Sequence, residues 1–167
     1  METKKTSVLF VCHGNICRSP MAEIILRRMA SHAGLSDRLN ISSAATSDEE
    51  TGNPIYPLAK RVLAIHGIGC QNKVAQKMTI KMFNESDIVI AMDNNNIKNI
   101  LKIVGDKDSD KIHLLLDFIS ESGLDGRHEV SDPWYTRDFD KAYSDIMAGC
   151  TALFNHLKPS LEAPEDF

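Results

Sequence analysis

The sequence predicts the α/β fold class, as one domain with a four-stranded parallel sheet and helices on both faces in three layers. Short apolar, β-branched runs alternate with segments of helical periodicity along the 167 residues. The runs lack the alternation of polar and apolar residues found in half-exposed strands, a pattern typical of strands buried on both faces. Buried strands separated by helices form parallel sheets covered on both sides.

The first predicted strand is SVLFVC, residues 7–12, and a loop over residues 13–18 follows it directly. Ser19 and Pro20 then predict the start of a helix, with serine as the N-cap and proline in the first turn. Gly34 is the predicted end of this helix. Its predicted apolar face consists of Met21, Ile24, Ile25 and Met29.

The same alternation continues to the end of the chain. The last helix is the clearest element, because apolar residues from Phe139 to Leu157 keep helical spacing throughout. Gly67 is expected to end the second helix, and LEAPEDF, residues 161–167, is expected to fray. The remaining predicted elements are strand 39–46, helix 57–66, strand 87–92, a helix capped by Asp93, strand 112–116 and helix 139–157.

Composition narrows the function classes. A hydrophobic content of 43% suits a single domain over residues 1–167. Nineteen basic and 23 acidic residues give a charge of -4, which predicts no nucleic-acid partner and no membrane partner. No apolar run approaches the roughly 18 residues of a membrane span. The start lacks an export signal and four cysteines are too few for a disulfide scaffold, so we expect a cytoplasmic protein.

The loop after the first strand carries the chemistry. In VCHGNICRSP, Cys12 ends the strand and Arg18 precedes the helix. A tight loop before a helix can turn its N–H groups inward and form an anion-binding nest, and Gly14 and Asn15 tolerate the positive φ that such a nest requires. Arg18 adds a planar pair of donors that matches two phosphate oxygens. The same positive field favours a thiolate at Cys12, to which Ser19 can donate a hydrogen bond.

This segment resembles the signature of the low-molecular-weight protein tyrosine phosphatases. The resemblance implies a phosphate-binding loop after strand 1, in which Cys12 forms a phosphocysteine and Arg18 holds the phosphate. It also implies substrate-binding positions throughout the loop. These are His13, Gly14, Asn15, Ile16, Cys17 and Ser19.

A second segment, SDPWYT at residues 131–136, resembles the acid-bearing motif of the same family. The resemblance makes Asp132 the general acid, which protonates the leaving oxygen and then activates water. Trp134 and Tyr135 then form one wall of a slot for a flat phenol. Glu49 stands where the family often has an aromatic residue on the opposite wall, and an acidic lip should disfavour acidic phosphopeptides.

The resemblance also implies two supporting residues, Ser43, which would bind Asn15, and Asp93. Asn72 and Ala75 replace the family's usual histidine and arginine in QNKVAQKM, so support of the loop should differ there. In similar proteins, the counterparts of Cys12 and Cys17 form a reversible disulfide that protects the nucleophile, and we expect redox regulation here as well.

Several alternatives compete with this interpretation. An arsenate reductase would need a further close cysteine pair, which is absent between Cys70 and Cys150. A protein-arginine phosphatase would carry threonine in place of Ile16. A non-catalytic phosphate-binding module would lack the nucleophile or the acid, and a phosphocysteine carrier of sugar transport would not need arginine followed by serine.

A zinc site at Cys12, His13 and Cys17 lacks a fourth ligand, so we expect no metal and no cofactor. The expected partners are tyrosine-phosphorylated proteins, with inorganic phosphate and other oxyanions as inhibitors.

Overall fold

Four parallel strands form the central sheet of the molecule, side by side in the order β2-β1-β3-β4. The computed structural model describes residues 4–70 and 72–163, and it confirms the predicted α/β class with one four-stranded parallel sheet. The strands are β1 (Thr6–Cys12), β2 (Leu39–Ala45), β3 (Ile88–Ala91) and β4 (Ile112–Leu114).

Helices cover both faces of the sheet, as predicted. On one face α1 packs against α6 and α2, and on the other α3 packs against α4. The helices are α1 (Arg18–His32), α2 (Pro57–Ile65), α3 (Ile80–Glu85), α4 (Asn94–Val104), α5 (Pro133–Thr136) and α6 (Phe139–Glu162).

The central strand β1 places Cys12 at its carboxyl end. Val8 to Cys12 are all at most 3% exposed, which confirms a strand buried on both faces. Val8, Phe10 and Cys12 face the core shared with α1 and α6, whereas Leu9 and Val11 face the core shared with α3 and α4. Because side chains alternate along a strand, Cys12 therefore points towards the start of α1.

The largest differences from the prediction are at element ends. α1 begins at Arg18 with Cys17 at the N-cap, so Ser19 is not the N-cap. The side chain of Ser19 instead makes polar contacts within the loop, which are described below. β4 ends at Leu114, because residues Leu115–Phe118 form a 3-10 turn instead of continuing the strand. Helix α3 was not predicted, since six residues are too few to show a helical period.

The end of the chain was also predicted incorrectly. Leu161 and Glu162 continue α6, and Leu161 is only 2% exposed because it packs into the core. Residues 164–167 of the expected frayed tail lie outside the described residues. The turns at Gly34 and Gly67 follow α1 and α2 as predicted, with φ of 71° and 73°. In the described part of the chain, no helix has both the length and the apolar character needed to span a membrane.

Candidate active site

The loop between β1 and α1 wraps around the sulfur of Cys12. Its carbonyl groups accept hydrogen bonds from outside the loop: Cys12 from Thr46, and Ile16 from Tyr56. Carbonyls that point outward leave the loop's N–H groups free to point inward, as in an anion-binding nest. The N–H of Asn15 is 3.4 Å from Cys12 Sγ.

A second polar contact reaches the same sulfur from α1. Ser19 Oγ lies 2.9 Å from Cys12 Sγ, and both groups are buried. Asn15 Nδ2 donates to Ser19 Oγ at 2.8 Å. Because the oxygen of Ser19 already accepts this bond, its own hydrogen is available for the sulfur.

Asn15 joins the loop to β2 and to the segment beyond it. Its φ of 59° places it in the left-handed region, as the nest requires. Its second amide hydrogen goes to Ser43 Oγ at 2.9 Å, and its Oδ1 accepts from the N–H of Gln76 at 3.1 Å. Ser43 in turn donates to Glu23 Oε1 at 2.5 Å. The Asn15–Ser43 contact expected from the family resemblance is therefore present.

Arg18 is buried, at 2% exposure, and bound on one side by protein oxygens. Its Nη1 donates to Asp93 Oδ2 at 2.7 Å and to the carbonyl of Val130 at 2.8 Å. Burial alone lowers the pKa of Arg18, but the charges of Cys12, Asp93 and Asp132 together raise the pKa above its ordinary value. The guanidinium therefore stays charged.

Asp93 has a second function in α4, which begins directly after it. Its Oδ1 accepts from the N–H of Asn96 at 2.8 Å, while Asn96 Oδ1 accepts from the N–H of Asp93 at 3.1 Å. This reciprocal capping box fixes the carboxylate that contacts Arg18. The predicted cap at Asp93 is confirmed.

Asp132 lies on the other side of the guanidinium. Its Oδ2 is 3.4 Å from Arg18 Nη2, and its side chain is 25% exposed. Oδ1 accepts from the N–H of Trp134 at 3.0 Å, so that Asp132 caps the short helix α5. The loop of Cys12 and the turn of Asp132 therefore meet at Arg18.

These groups surround a cavity of about 120 Å³. Trp134 and Tyr135 form an exposed wall, at 45% and 80% exposure. On the rim, His13 Nε2 lies 3.3 Å from Glu49 Oε2. The lining consists of Cys12, His13, Gly14, Asn15, Ile16, Cys17, Arg18, Glu49, Glu50, Asp132, Trp134 and Tyr135.

The second thiol of the loop has a different environment. Cys17 is 6% exposed, and burial, followed by the negative charges of Cys12 and Asp132, raises its pKa to about 12. Cys17 is therefore a neutral thiol at physiological pH.

One conformational expectation was wrong, because Gly14 does not adopt a positive φ and only Asn15 does so within the loop.

Some residues that contact the cavity or support its loop were not predicted. These are Glu23, Glu50, Tyr56, Lys73 and Arg137. Glu50 could have been indicated by its position next to the predicted Glu49, and the spacing of four residues between Glu23 and Arg27 could have indicated their ion pair. Nothing in the sequence marks Tyr56 or Arg137.

Asn72 and Ala75 were expected to alter the support of the loop. The neighbouring residues provide this support instead. Lys73 Nζ lies 3.3 Å from the carbonyl of Ser43 and 3.5 Å from Glu23 Oε1, and Gln76 Nε2 donates to the carbonyl of Ser43 at 3.1 Å.

Two other kinds of site were considered. Within residues 4–70 and 72–163, no group of three or more histidine, cysteine, aspartate or glutamate side chains is arranged to hold a metal ion. A wider depression of about 570 Å³ lies along the outer edge of β2. The described residues that line it include no cysteine and no aspartate.

The fold and the cavity define a class of protein: parallel α/β proteins in which a cysteine and an arginine share one oxyanion-binding loop between the first strand and the first helix. The comparisons with known proteins specify the family. The family model described as low molecular weight phosphotyrosine protein phosphatase matches residues 7–163.

Relatives match over most of their own length. The low molecular weight protein-tyrosine-phosphatase YfkJ of Bacillus subtilis is 37% identical over 147 residues, covering 88% of this chain and 92% of the relative. The low molecular weight phosphotyrosine protein phosphatase of Homo sapiens is 33% identical over 156 residues, covering 91% and 96%.

Solved structures agree with this relationship. The crystal structure of YfkJ superposes with a TM-score of 0.89 at 34% identity, covering 96% of this chain and 99% of that one. That of SP-PTP from Streptococcus pyogenes gives a TM-score of 0.80 at 38% identity with the same coverage. The chain therefore belongs to the low molecular weight phosphotyrosine protein phosphatase family, whose members are hydrolases. The comparisons do not support the arsenate reductase or protein-arginine phosphatase alternatives.

Proposed function

We propose that this protein hydrolyses phosphotyrosine in proteins, and small aryl phosphates, through a phosphocysteine at Cys12. One observation carries the proposal: the loop that encloses the sulfur of Cys12 also supplies Arg18, whose guanidinium is 3.4 Å from the carboxylate of Asp132. Cys12, Arg18 and Asp132 thus line one cavity, which supports their roles as nucleophile, phosphate-binding cation and acid. The names of the relatives support phosphotyrosine as the substrate.

In the first step, the thiolate of Cys12 attacks phosphorus and the bond between phosphorus and the phenol oxygen breaks. Arg18 and the N–H groups of the loop bind the equatorial oxygens, whose charge they stabilise in the transition state. Asp132, in its protonated form, gives its proton to the leaving phenolate.

In the second step, the carboxylate of Asp132 takes a proton from water, and the water oxygen attacks phosphorus. The bond between sulfur and phosphorus breaks, inorganic phosphate forms, and the electron pair returns to Cys12 as a thiolate. The hydroxyl of Ser19, 2.9 Å from the sulfur, stabilises that thiolate as it departs.

The cavity favours aryl esters and simple oxyanions. A flat phenol can lie against Trp134 and reach the sulfur at the floor, whereas the shorter side chain of phosphoserine holds its peptide against the rim. Inorganic phosphate and similar oxyanions bind the same loop and are competitive inhibitors in this account.

Oxidation of the two loop thiols forms a further part of the proposal, together with a cytoplasmic location, where such thiols stay reduced. Peroxide oxidises the Cys12 thiolate to a sulfenic acid, and Cys17 displaces the hydroxyl as water to form a disulfide. Both residues are free thiols in the structure. Peroxide-treated wild type should recover activity with dithiothreitol, and Cys17→Ser should recover less.

The test of the function is hydrolysis of p-nitrophenyl phosphate across pH by wild type, Cys12→Ser and Asp132→Ala, with arsenate reduction measured in parallel. We expect an active wild type, an inactive Cys12→Ser and a slow Asp132→Ala that has lost the decline of rate at higher pH, where a general acid is deprotonated. Binding of phosphate without any hydrolysis would favour a binding module. Arsenate reduction would favour a reductase.

A further inference from the structure

Arg137 follows α5 in a backbone conformation that is unusual for its residue type. Its φ is 60° and its ψ is 13°, in the left-handed region, where glycine is the common residue because it has no Cβ. Its N–H donates to the carbonyl of Pro133 at 2.9 Å and closes the turn. The side chain therefore needs contacts that offset the strained backbone.

These contacts lie in an aromatic cluster beside the cavity. Arg137 Nη2 donates to the hydroxyl of Tyr56 at 2.9 Å, and Nη1 is 3.4 Å from the carbonyl of Trp134. The guanidinium carbon lies 5.5 Å from the ring centroids of Tyr56 and Phe139 and 5.9 Å from that of Trp134. At these distances a guanidinium is attracted to aromatic faces.

Tyr56 is in contact with both parts of the cavity. Its backbone N–H donates to the carbonyl of Ile16 in the phosphate-binding loop at 2.9 Å. Its ring meets Trp134 edge to face, with centroids 5.1 Å apart and an interplanar angle of 64°. Tyr56 thus connects the loop of Cys12 to the turn of Asp132.

Within the turn itself, Pro133 is buried, whereas Trp134 and Tyr135 are 45% and 80% exposed. Asp132 begins the turn and Arg137 ends it. The carbonyl of Asp132 accepts from Tyr135 and Thr136, both at 3.1 Å. A shift at Arg137 is therefore transmitted through one short turn to the carboxylate.

We propose that Arg137, acting through Tyr56, is a positioning residue that holds the acid-bearing turn on the phosphate-binding loop. The effect of Arg137 on catalysis rests on the proposed function, because a displaced turn would move Asp132 out of position as the general acid. The substrate is not touched by Arg137 in this account. Tyr56 and Arg137 are 81 residues apart in the chain.

The first test measures the turn without using activity. Trp134 is the only tryptophan in the sequence, so acrylamide quenching of its fluorescence reports on this turn alone. Arg137→Gly removes the side chain and relieves the backbone, and Tyr56→Phe removes only the hydroxyl. Arg61→Ala, an exposed position on α2, is the charge-matched control.

We expect Arg137→Gly to raise the quenching constant clearly, Tyr56→Phe to raise it less, and Arg61→Ala to leave it unchanged, with all three variants folded by circular dichroism. Equal quenching in wild type and Arg137→Gly would overturn the proposal. This result is independent of whether the protein hydrolyses any ester.

The second test compares kcat/KM for phenyl phosphate with that for p-nitrophenyl phosphate. Phenolate is the more basic leaving group and depends more on the proton from Asp132. We expect Arg137→Gly to lower kcat/KM for phenyl phosphate about tenfold and that for the nitrophenyl ester much less. An equal loss for both esters would contradict a role in placing the acid. An inactive wild type would refute the proposed function, and quenching alone would then decide whether Arg137 holds the turn.

Discussion

The hydroxyl of Ser19 lies 2.9 Å from the sulfur of Cys12, and its oxygen accepts a hydrogen bond from Asn15 at 2.8 Å. The amide of Asn15 donates to one lone pair of this oxygen and leaves the hydroxyl hydrogen free. A thiolate can only accept, so the hydroxyl donates this hydrogen to the sulfur when Cys12 is deprotonated. Ser19 therefore stabilises Cys12 best when the sulfur carries a negative charge.

We predict that Ser19→Ala slows hydrolysis of the phosphocysteine more than its formation. A hydrogen bond to a charged group contributes about 1.5–3 kcal/mol, so kcat should fall roughly 10- to 100-fold. Rapid-mixing experiments with p-nitrophenyl phosphate should show a larger burst of nitrophenol in the variant than in wild type. A loss of kcat without any burst would contradict this role.

A second prediction concerns Asn15. Two substitutions separate the effect of its left-handed backbone from the effect of its side-chain hydrogen bonds. Asn15→Gly keeps the left-handed conformation but loses the bonds to Ser19 and Ser43, and Asn15→Ala adds backbone strain. Both variants should lose activity to a similar extent, whereas Asn15→Ala should be less stable by about 1 kcal/mol in urea unfolding. Undiminished kcat in Asn15→Gly would show that the orientation of Ser19 does not depend on Asn15.

Cys17 makes the free energy of unfolding depend on pH in the alkaline range. Burial chiefly raises its pKa from 9.0 to about 12, which means that the folded state favours the neutral thiol. This contribution is fully present below pH 9. Between pH 9 and pH 12 the unfolded chain loses the proton while the folded chain keeps it, so stability falls by about 1.4 kcal/mol per pH unit.

Between pH 8 and pH 10, the free energy of unfolding of Cys17→Ala should therefore fall by about 1 kcal/mol less than that of wild type. Urea unfolding at both pH values measures the difference, and contributions from other groups cancel because both proteins contain them. Identical losses in the two proteins would show that Cys17 is not shielded from solvent as the structure has it.

Glu49 provides a prediction about peptide preference. Its side chain is 68% exposed beside His13 at the rim of the cavity. Glu49→Gln should raise kcat/KM about two- to fivefold for phosphotyrosine peptides with acidic flanks, because it removes a repulsive charge. Hydrolysis of p-nitrophenyl phosphate should hardly change. Glu121→Gln, at an exposed position, is the control; an equal effect there would assign the preference to net charge.

Much of the fold could be predicted from the sequence. Buried strands and amphipathic helices leave periodic signals, and they were sufficient for the class, for all four strands and for the long helix α6. The loop of Cys12 and Arg18 was predictable because its residue types suit an anion nest. Asp132 was found only through the resemblance of its motif, since distances between segments are not visible in a single sequence.

What could not be predicted depends on tertiary contacts. The bond between Arg137 and Tyr56 joins distant segments, and neither residue type is specific to such a role. Ser19 was expected to cap α1, but its hydroxyl is engaged by Asn15 and Cys12, and the helix begins two residues earlier, at Arg18. Lys73 supports the loop through a contact with Glu23, in place of the support that the family has at positions 72 and 75. The periodicity of apolar residues does not reveal such a contact.

The most direct test of the phosphocysteine mechanism is to trap the intermediate. Wild type and Ser19→Ala are mixed with an aryl phosphate carrying a radiolabelled phosphoryl group, quenched within milliseconds, and the labelled peptide is identified by mass spectrometry. The mechanism predicts label on Cys12, more of it in Ser19→Ala, and none in Cys12→Ser. Rapid turnover with no label on Cys12, or with label on another residue, would contradict it.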